Sequence, residues 1–157
     1  YQDGAPRHPA VLLRKGTDLT LAGCGTLVNE LLDCADRLAA DGIRAEVVKL
    51  NTITPLPREL VARSVKKTGR LLVAEEGAEM GGIGQRIAAG LLAAGIPVQW
   101  LALANTGRGF VTHGTIPQLR RLCGLDGESL YHRAWEVCGH GKSEEASGCA
   151  AGGAGAG

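Results

Sequence analysis

The sequence of 157 residues is 45% hydrophobic and has a formal net charge of +1, with its basic residues spread along the chain. A chain of this length and composition is expected to form one domain that buries about two thirds of its unfolded surface. The near-neutral charge excludes the basic surface typical of nucleic-acid binding, and the sequence contains no run of about 18 apolar residues to span a membrane. We expect a cytoplasmic protein whose partners are neither nucleic acids nor membranes.

The five cysteines are an odd number and include no C-x-x-C pair, which favours free thiols in a reducing compartment. Three of them occupy apolar positions and are expected in the core: Cys24, Cys34 and Cys123. The spacing of Cys138, His140 and Cys149 fits no pattern of metal ligands, so we expect no metal site there.

The first nine residues carry glycine and proline without an apolar period, which predicts a linker from an upstream domain over 1–9. Because the sequence begins with Tyr1 and not with Met, we expect it to be a piece of a longer polypeptide. The folded domain is then expected over 10–138.

The pattern of apolar residues predicts the element order β-β-α-β-α-β-α-β-α-α. The first two strands, at 10–14 and 19–24, are joined by a polar turn and should be hairpin neighbours or lie antiparallel at a sheet edge. Strands that then alternate with helices of 10 to 14 residues indicate βαβ crossovers. The fold class is therefore α/β, with a mostly parallel sheet covered by helices on both faces.

The end of the chain predicts two consecutive helices. Thr115 is expected to cap the first helix, whose apolar positions are Ile116, Leu119, Leu122 and Cys123. Asp126 is expected to cap the second helix, which should end at Cys138. Glycine, alanine and serine dominate 139–157, which predicts a disordered tail.

The strand predicted at 71–74 is a short apolar run that ends at two acids, Glu75 and Glu76. Such a run is typical of a strand buried on both faces, so we place it at the centre of the sheet, with the acids at its carboxyl end. Adjacent strand residues point to opposite faces, which excludes an acid–base pair acting on one substrate. One acid is expected to be buried and paired, with an upstream arginine or across a subunit boundary, and the other to be solvated.

A cluster of glycines, Gly81, Gly82 and Gly84, opens the helix predicted at 83–94. Free N–H groups at a helix start attract anions, so a phosphate could bind there. The favoured interpretation is that the glycines allow a tight turn and close packing.

A second glycine-bearing turn, Gly23–Cys24–Gly25, follows a strand and resembles a dinucleotide-binding fingerprint. Val28 stands where that fingerprint requires glycine or alanine, and Glu46 lies at the wrong end of its strand to reach a ribose. The favoured interpretation is an ordinary strand–helix turn with Thr26 as the N-cap residue. A free-standing nucleotide-binding regulator remains the alternative from a different functional class.

His113 lies in the loop after the last strand and is the best titratable candidate in the sequence. The sequence shows no Ser or Cys nucleophile in a recognisable elbow and no acid spaced to orient this histidine. We expect His113 to shape its loop rather than to transfer a proton. The residues thus predict an accessory domain, or a pure dimerisation module, without a complete active site of its own.

The segments 15–21, 25–28, 42–48, 52–57 and 68–76, together with Gly81 to Gly84, resemble the C-terminal domain of the transketolase-like thiamine diphosphate enzymes. The resemblance covers residues 10 to 138. It implies a three-layer α/β/α fold whose five-stranded mixed sheet has its first strand antiparallel.

The resemblance also implies that thiamine diphosphate and Mg²⁺ are bound by upstream domains, and that none of the family's catalytic residues maps onto this segment. This domain would complete a homodimer, or pair with a complementary subunit, and buttress the active site. Within the family, 110–115 and 123–130 are most similar to the synthases that condense pyruvate with glyceraldehyde 3-phosphate and release CO2. Split transketolases and the β subunits of 2-oxoacid dehydrogenase E1 are the alternatives.

Overall fold

The computed structural model describes residues 8–107, 109, 111 and 113–148, with side chains up to Cys138. The described strands are β1 (Ala10–Arg14), β2 (Leu19–Cys24), β3 (Ala45–Leu50), β4 (Arg70–Ala74) and β5 (Trp100–Ala104). The helices are α1 (Val28–Ala40), α2 (Arg58–Thr68), α3 (Ile83–Ala93), α4 (Ile116–Cys123) and α5 (Gly127–Gly148), and a 3₁₀ turn at Gly25–Leu27 precedes α1. Within these residues, none of the helices combines the length and the apolar character that a bilayer crossing needs.

The sheet has the strand order β1-β3-β2-β4-β5, in which β1 is antiparallel to β3 and all other neighbours are parallel. This confirms the mixed five-stranded sheet with an antiparallel first strand at its edge. The prediction that β1 and β2 could form a hairpin is wrong, because β3 lies between them. The turn from β1 to β2 crosses the start of β3 so closely that a Cβ on Gly16 would lie 2.3 Å from the carbonyl carbon of Ala45.

Strand β4 is buried on both faces, as predicted. Leu71 and Val73 belong to one core cluster, whereas Leu72 and Ala74 belong to the other. Its predicted place at the centre is wrong, because β2 is the middle strand and β4 lies between β2 and β5. The error has a simple cause: an apolar run shows that both faces are covered but does not show how many strands lie on each side.

Helices cover the sheet on both faces and create two cores. Helices α1 and α5 enclose one cluster, which includes Leu31, Leu38 and Leu130, and the buried thiols of Cys34 and Cys138 lie in it. Helices α2 and α3 enclose the other cluster, which includes Val61 and Ile87. Cys24 and Cys123 are half-buried, so both pack at the margins of these cores. The three-layer α/β/α architecture is confirmed.

Several helix boundaries differ from the predictions. Thr26 lies inside the 3₁₀ turn and does not cap α1, which begins at Val28 after Leu27. Helix α3 buries Ile83, Ile87 and Leu91 as predicted, but Leu92 is 82% exposed.

The two C-terminal helices are capped where the sequence predicts. Thr115 and Gln118 form a reciprocal capping box at α4, and Asp126 accepts hydrogen bonds from the backbone N–H and the hydroxyl of Ser129 at the start of α5. The predicted apolar face of α4 is wrong at two positions, because Ile116 is 64% and Leu122 66% exposed.

Helix α5 continues to Gly148 and does not end at Cys138. Residues 139–148, predicted as part of a disordered tail, therefore have helical backbone. They include Lys142, Glu144, Glu145 and Ala146, which are good helix formers. The rest of the predicted tail lies outside the described residues, as do Cys149 and the side chain of His140.

Candidate functional site

The candidate site lies at the carboxyl ends of the parallel strands, where Glu75 follows β4. Its side chain is buried, and its two carboxylate oxygens accept hydrogen bonds from the backbone N–H groups of Ile83 and Gly84 at 2.7 and 3.0 Å. These amides belong to the first turn of α3, where the helix dipole stabilises a negative charge. The anion at this helix start is thus a side chain of the protein itself.

The glycines around this turn make room for the carboxylate. A Cβ on Gly82 would lie 2.4 Å from Glu75 Oε1, and one on Gly84 would lie 2.7 Å from a methyl carbon of Leu103. Gly81 has a φ of 75°, the left-handed conformation that favours glycine. These contacts support the prediction of a tight turn with close packing, and they leave no room for a phosphate beside Glu75.

Glu76 turns to the opposite face of the sheet and binds Arg120 of α4. The guanidinium donates to Glu76 Oε1 from Nε at 2.8 Å, to Glu30 Oε1 from Nη1 at 3.2 Å and to Thr26 Oγ1 from Nη2 at 2.8 Å. Glu30 in turn accepts the backbone N–H of Gly127 at 3.0 Å. This carboxyl-edge network therefore ties together β4, the 3₁₀ turn, α1, α4 and the start of α5.

Arg120 remains a cation in this setting. Burial disfavours its charged form, but hydrogen bonds and charge interactions with Glu76 and Glu30 outweigh that effect and raise the pKa of the guanidinium above its usual value. With two carboxylates around one guanidinium, the network carries an excess of one negative charge. It is therefore suited to holding helices in place and not to binding a further anion.

A cavity of about 320 Å³ opens beside this network. Thr26, Glu76, Thr106 and Arg120 supply its polar wall, and the remaining wall is mostly apolar. The hydroxyl of Thr106 donates to the carbonyl of Gly77 at 2.8 Å, so part of the polar wall serves to hold the loop after β5.

The other glycine-bearing turn, at the end of β2, does not form a dinucleotide site. A Cβ on Gly23 would lie 2.8 Å from Leu31 Cδ1, so this glycine is needed for the contact between α1 and β2. Glu46 lies at the opposite edge of the sheet, where its buried carboxylate binds Lys67 and the backbone N–H of Gly16. The geometry thus supports an ordinary strand–helix turn.

Two of the thiols in the described part of the chain are poor nucleophiles. Burial, reinforced by the charges of Glu75 and Glu76, raises the pKa of the Cys24 thiol. Burial raises the pKa of the Cys34 thiol to about 12. Both sulfurs therefore stay protonated at neutral pH, where a thiolate would be required for attack.

The structure does not bring the candidate residues Glu75, Glu76 and His113 together in one site. Glu75 is the buried acid, but its partners are backbone amides and not an arginine. Glu76 is half-exposed and is not simply solvated, because it pairs with an arginine from later in the chain. His113 is exposed in the loop between β5 and α4, and none of the hydrogen bonds among the described residues joins it to either acid.

Sequence reasoning missed Arg120, together with Thr26 and Glu30 as its partners. Helix α4 was predicted from its apolar positions alone, and Arg120 is not one of them. The available signal was weak: a buried arginine requires carboxylates, and two of them lay at helix and strand ends that converge on one edge of the sheet.

The described residues do not fit a diphosphate and its magnesium ion. The amides that would bind a phosphate at α3 are bonded to Glu75, whose negative charge would repel a second anion. In the described part of the chain, no group of three or more His, Cys, Asp or Glu side chains is placed to hold a metal ion.

The fold and the site together define the class of protein. It is an α/β/α domain in which the polar side chains at the carboxyl edge of the sheet bind the domain's own helices. The family profile "Transketolase, C-terminal domain" matches residues 8–130. The chain belongs to this family.

Relatives in the family come from several kinds of enzyme. The chain is 37% identical over 123 residues to a 1-deoxy-D-xylulose-5-phosphate synthase of Gloeobacter violaceus, covering 78% of this chain and 19% of the synthase. It is also 37% identical over 128 residues to a 6-deoxy-6-sulfo-D-fructose transketolase subunit of a Clostridium species, covering 82% of this chain and 39% of that subunit. The chain thus spans about a fifth of the synthase and about two fifths of the transketolase subunit.

A solved structure shares the fold. A split-gene transketolase, described as an inactive β4 tetramer, superimposes with a TM-score of 0.75 at 25% identity, over 88% of this chain and 45% of that one. A match over this share of the chain agrees with the α/β/α fold and mixed sheet described above.

Proposed function

We propose that this chain is the C-terminal domain of a thiamine diphosphate-dependent 1-deoxy-D-xylulose-5-phosphate synthase. Such an enzyme joins pyruvate to glyceraldehyde 3-phosphate, giving 1-deoxy-D-xylulose 5-phosphate and CO2, and starts the synthesis of isoprenoid precursors. The observation that carries the proposal is the 37% identity to a synthase over 123 residues, which are 78% of this chain. A second synthase, of Thermomicrobium roseum, is 36% identical over 142 residues.

In this proposal the domain contributes rigidity and not reacting groups. Glu75 locks the start of α3, and Arg120 locks α4 to the loop after β4, so the edge of the sheet is a firm support for neighbouring protein. Thiamine diphosphate and Mg²⁺ are bound by the upstream domains. The complete enzyme is a homodimer or pairs with a complementary subunit. The free thiols in the described part of the chain support a reducing, cytoplasmic location.

The decisive experiment is an assay of the complete gene product with pyruvate and glyceraldehyde 3-phosphate. We expect 1-deoxy-D-xylulose 5-phosphate and CO2 in equal amounts, only when thiamine diphosphate and Mg²⁺ are added. Product formed without thiamine diphosphate, or no product with both cofactors present, would reject the proposal.

A second candidate is the C-terminal part of a split transketolase. It is favoured by the matched transketolase subunit and by the split-gene transketolase structure. In the same assay this candidate predicts no reaction with pyruvate and ketol transfer from a ketose donor to an aldose. A pyruvate dehydrogenase E1 β subunit of Bacillus subtilis is 45% identical, but over 76 residues that cover 48% of this chain, so it supports a third and weaker alternative.

The role of His113 can be tested in the same complete enzyme. We propose that it shapes the loop between β5 and α4 and transfers no proton. His113→Ala should then change kcat less than about threefold, whereas loss of a general acid or base costs about 10²–10⁴-fold. A loss in that larger range, rescued by added imidazole, would make His113 catalytic.

A further inference from the structure

A groove of about 730 Å³ lies where β1 begins, outside the carboxyl-edge network. Its walls are formed by residues 8–10, by the loop and first turn of α2 at 55–60, and by Arg63. We call it the N-terminal groove. None of the roles assigned above uses it.

The floor of the N-terminal groove is apolar and continuous with the core. Ala10, Leu56 and Leu60 are partly buried and pack against the cluster under α2 and α3. Ile53, in the loop that leads into the groove, is 46% exposed. The contiguous apolar floor, and not the single exposed side chain, is the feature typical of a surface that another protein segment covers.

The rim of the groove is basic. Arg58 and Arg63 are exposed, and among the described residues neither has a carboxylate within ion-pair distance. Arg86 lies next to this rim and donates to the carbonyl of Ile53 at 3.1 Å. Among the described residues that line the groove, Glu59 is the one acid. A segment that carries carboxylates would therefore complement the rim.

The place where the chain enters this domain indicates which segment would bind in the N-terminal groove. The carbonyl of Pro9 accepts hydrogen bonds from the backbone N–H groups of Asn51 and Thr52 at 2.8 and 3.2 Å, and the carbonyl of His8 accepts one from the side chain of Asn51. These bonds fix residues 8 and 9 at the mouth of the groove. Any polypeptide joined ahead of residue 8 leaves from this point and is held there at high effective concentration.

We propose that the N-terminal groove seats a segment of the polypeptide that precedes residue 8 in the same gene product, and that this segment presents apolar side chains flanked by carboxylates. The inference rests on the proposed function in one respect: the chain must continue into upstream domains, as expected for a match to 19% of a synthase. It does not depend on which reaction those domains catalyse.

The test uses the complete gene product with a photoreactive phenylalanine at Ile53. We expect crosslinks within one polypeptide to a single peptide upstream of residue 8 that contains Asp or Glu. The matched control places the same group at Leu122, which is 66% exposed on α4, a helix with no residue among the described lining of the groove. The control should give no crosslink to that peptide.

Charge reversal tests the second half of the inference. Arg63→Glu should lower the crosslink yield from position 53 about fivefold, because attraction to a carboxylate becomes repulsion. Arg44→Glu changes an exposed arginine just ahead of β3, at the opposite edge of the sheet, and should leave the yield unchanged. Equal yields in both variants would overturn the assignment of carboxylates to the segment.

Two other outcomes would overturn the occupant. Crosslinks to residues 8–148 of a second copy would make the groove a contact between copies of this domain. If no protein crosslink forms and inorganic phosphate binds saturably in a manner that Arg63→Glu abolishes, the groove would belong to a small phosphorylated molecule. A crosslinked enzyme without synthase activity would reject the proposed function alone, and an active synthase without the crosslink would reject this inference alone.

Discussion

Two turns in this domain share a sequence pattern, since each ends a buried strand with glycines and starts a helix. After β4, the first amides of α3 bind the carboxylate of Glu75, which lies eight residues before Ile83. After β2, the hydroxyl of Thr26 accepts from Arg120, 94 residues further along the chain. The first turn is completed locally and the second by a distant helix.

The difference follows from which face of β4 each acid occupies. Glu75 and Glu76 are neighbours, so one points to the α3 side and the other to the α1 side of the sheet. Glu75 meets a helix start and neutralises it directly. Glu76 meets no free amide and instead binds the guanidinium that spans the other turn. The pair of acids thus serves both turns, and glycine patterns alone do not reveal what occupies a strand–helix turn.

Removing the Glu75 carboxylate should have the largest effect on the free energy of unfolding. Glu75→Ala leaves two buried amides without an acceptor, and we expect the free energy of unfolding to fall by about 3 kcal/mol. Glu59→Ala is the matched control, because Glu59 is an exposed acid in the first turn of α2 and its loss should cost less than about 0.5 kcal/mol. Urea denaturation of the chain followed by circular dichroism measures both values.

Equal losses in these two variants would show that the amides of Ile83 and Gly84 find water instead of Glu75. Glu75→Gln sharpens the result. It keeps one oxygen acceptor but points an NH2 group at a second N–H, so its cost should fall between those of the other two variants.

Removing Arg120, the distant partner of Thr26, should have the second largest effect on the free energy of unfolding. Arg120→Met keeps much of the side-chain volume but leaves Glu30 and Glu76 without their cation, and we expect a loss of about 2 kcal/mol in the free energy of unfolding. This is below the 3–5 kcal/mol typical of a fully buried pair because the side chain of Glu76 is 48% exposed. Arg121→Met is the control, since Arg121 is 78% exposed and its contact with Glu128 is 4.0 Å long. Indistinguishable denaturation midpoints would mean that the network does not stabilise the fold.

Much of the local turn could be predicted from the sequence, and little of the distant one. Alternation along β4 required Glu75 and Glu76 to face opposite sides, and the glycines at 81–84 predicted close packing at α3. Nothing local predicts that Arg120 meets Thr26, because that contact depends on how α4 lies across the sheet. Helix α4 buries the Arg120 side chain and leaves Ile116 and Leu122 exposed, which is the reverse of what the apolar pattern of the helix predicts.

The same limit applies to the order of strands. The patterns predicted each strand and each α-helix of the described residues, and of the two placements that they left open for the first strand, the resemblance implied the antiparallel one. The expected hairpin between β1 and β2 failed because strand pairing depends on contacts between distant parts of the chain. Strand β1 pairs with β3, with Ala10 opposite Leu50, and the turn after β1 passes over the start of β3. Only Gly16, without a side chain, allows that crossing.

The glycines Gly81 and Gly82, in the turn before α3, provide a further test. The effect of Gly82→Ala on the free energy of unfolding should change sign when Glu75 is removed. Gly82→Ala places a methyl group against the Glu75 carboxylate, and we expect a loss of about 1.5 kcal/mol. In the Glu75→Ala background the methyl group has space and φ is −65°, so the same change should be neutral or stabilising by about 0.5 kcal/mol. Gly81→Ala is the control: its cost of about 1 kcal/mol comes from a φ of 75° and should be equal in both backgrounds. Additive values for Gly82 would mean that Glu75 does not fill this turn.

The smallest expected effect concerns Glu46. This acid lies at the opposite edge of the sheet from the glycine-bearing turn after β2 and makes no contact with it. Burial raises the pKa of its carboxyl, but hydrogen bonds from Lys67, Ser64 and the N–H of Gly16 outweigh burial and lower it below the usual 4.5. Because the folded pKa is depressed, the stabilisation is complete above the unfolded pKa and is lost as pH falls through the folded one. Lys67→Met should therefore cost about 0.5–1 kcal/mol at pH 7, since Lys67 is 46% exposed, and less at acid pH.

Lys66→Met controls for the loss of one exposed charge on the same helix. Denaturation midpoints of both variants and the parent chain, measured across the acid range, give the comparison. The difference between Lys67→Met and the parent should shrink as pH falls below 4.5, while the Lys66 variant follows the parent throughout. A difference that stays constant with pH would show that Lys67 stabilises the fold through packing of its aliphatic stem and not through its bond to Glu46.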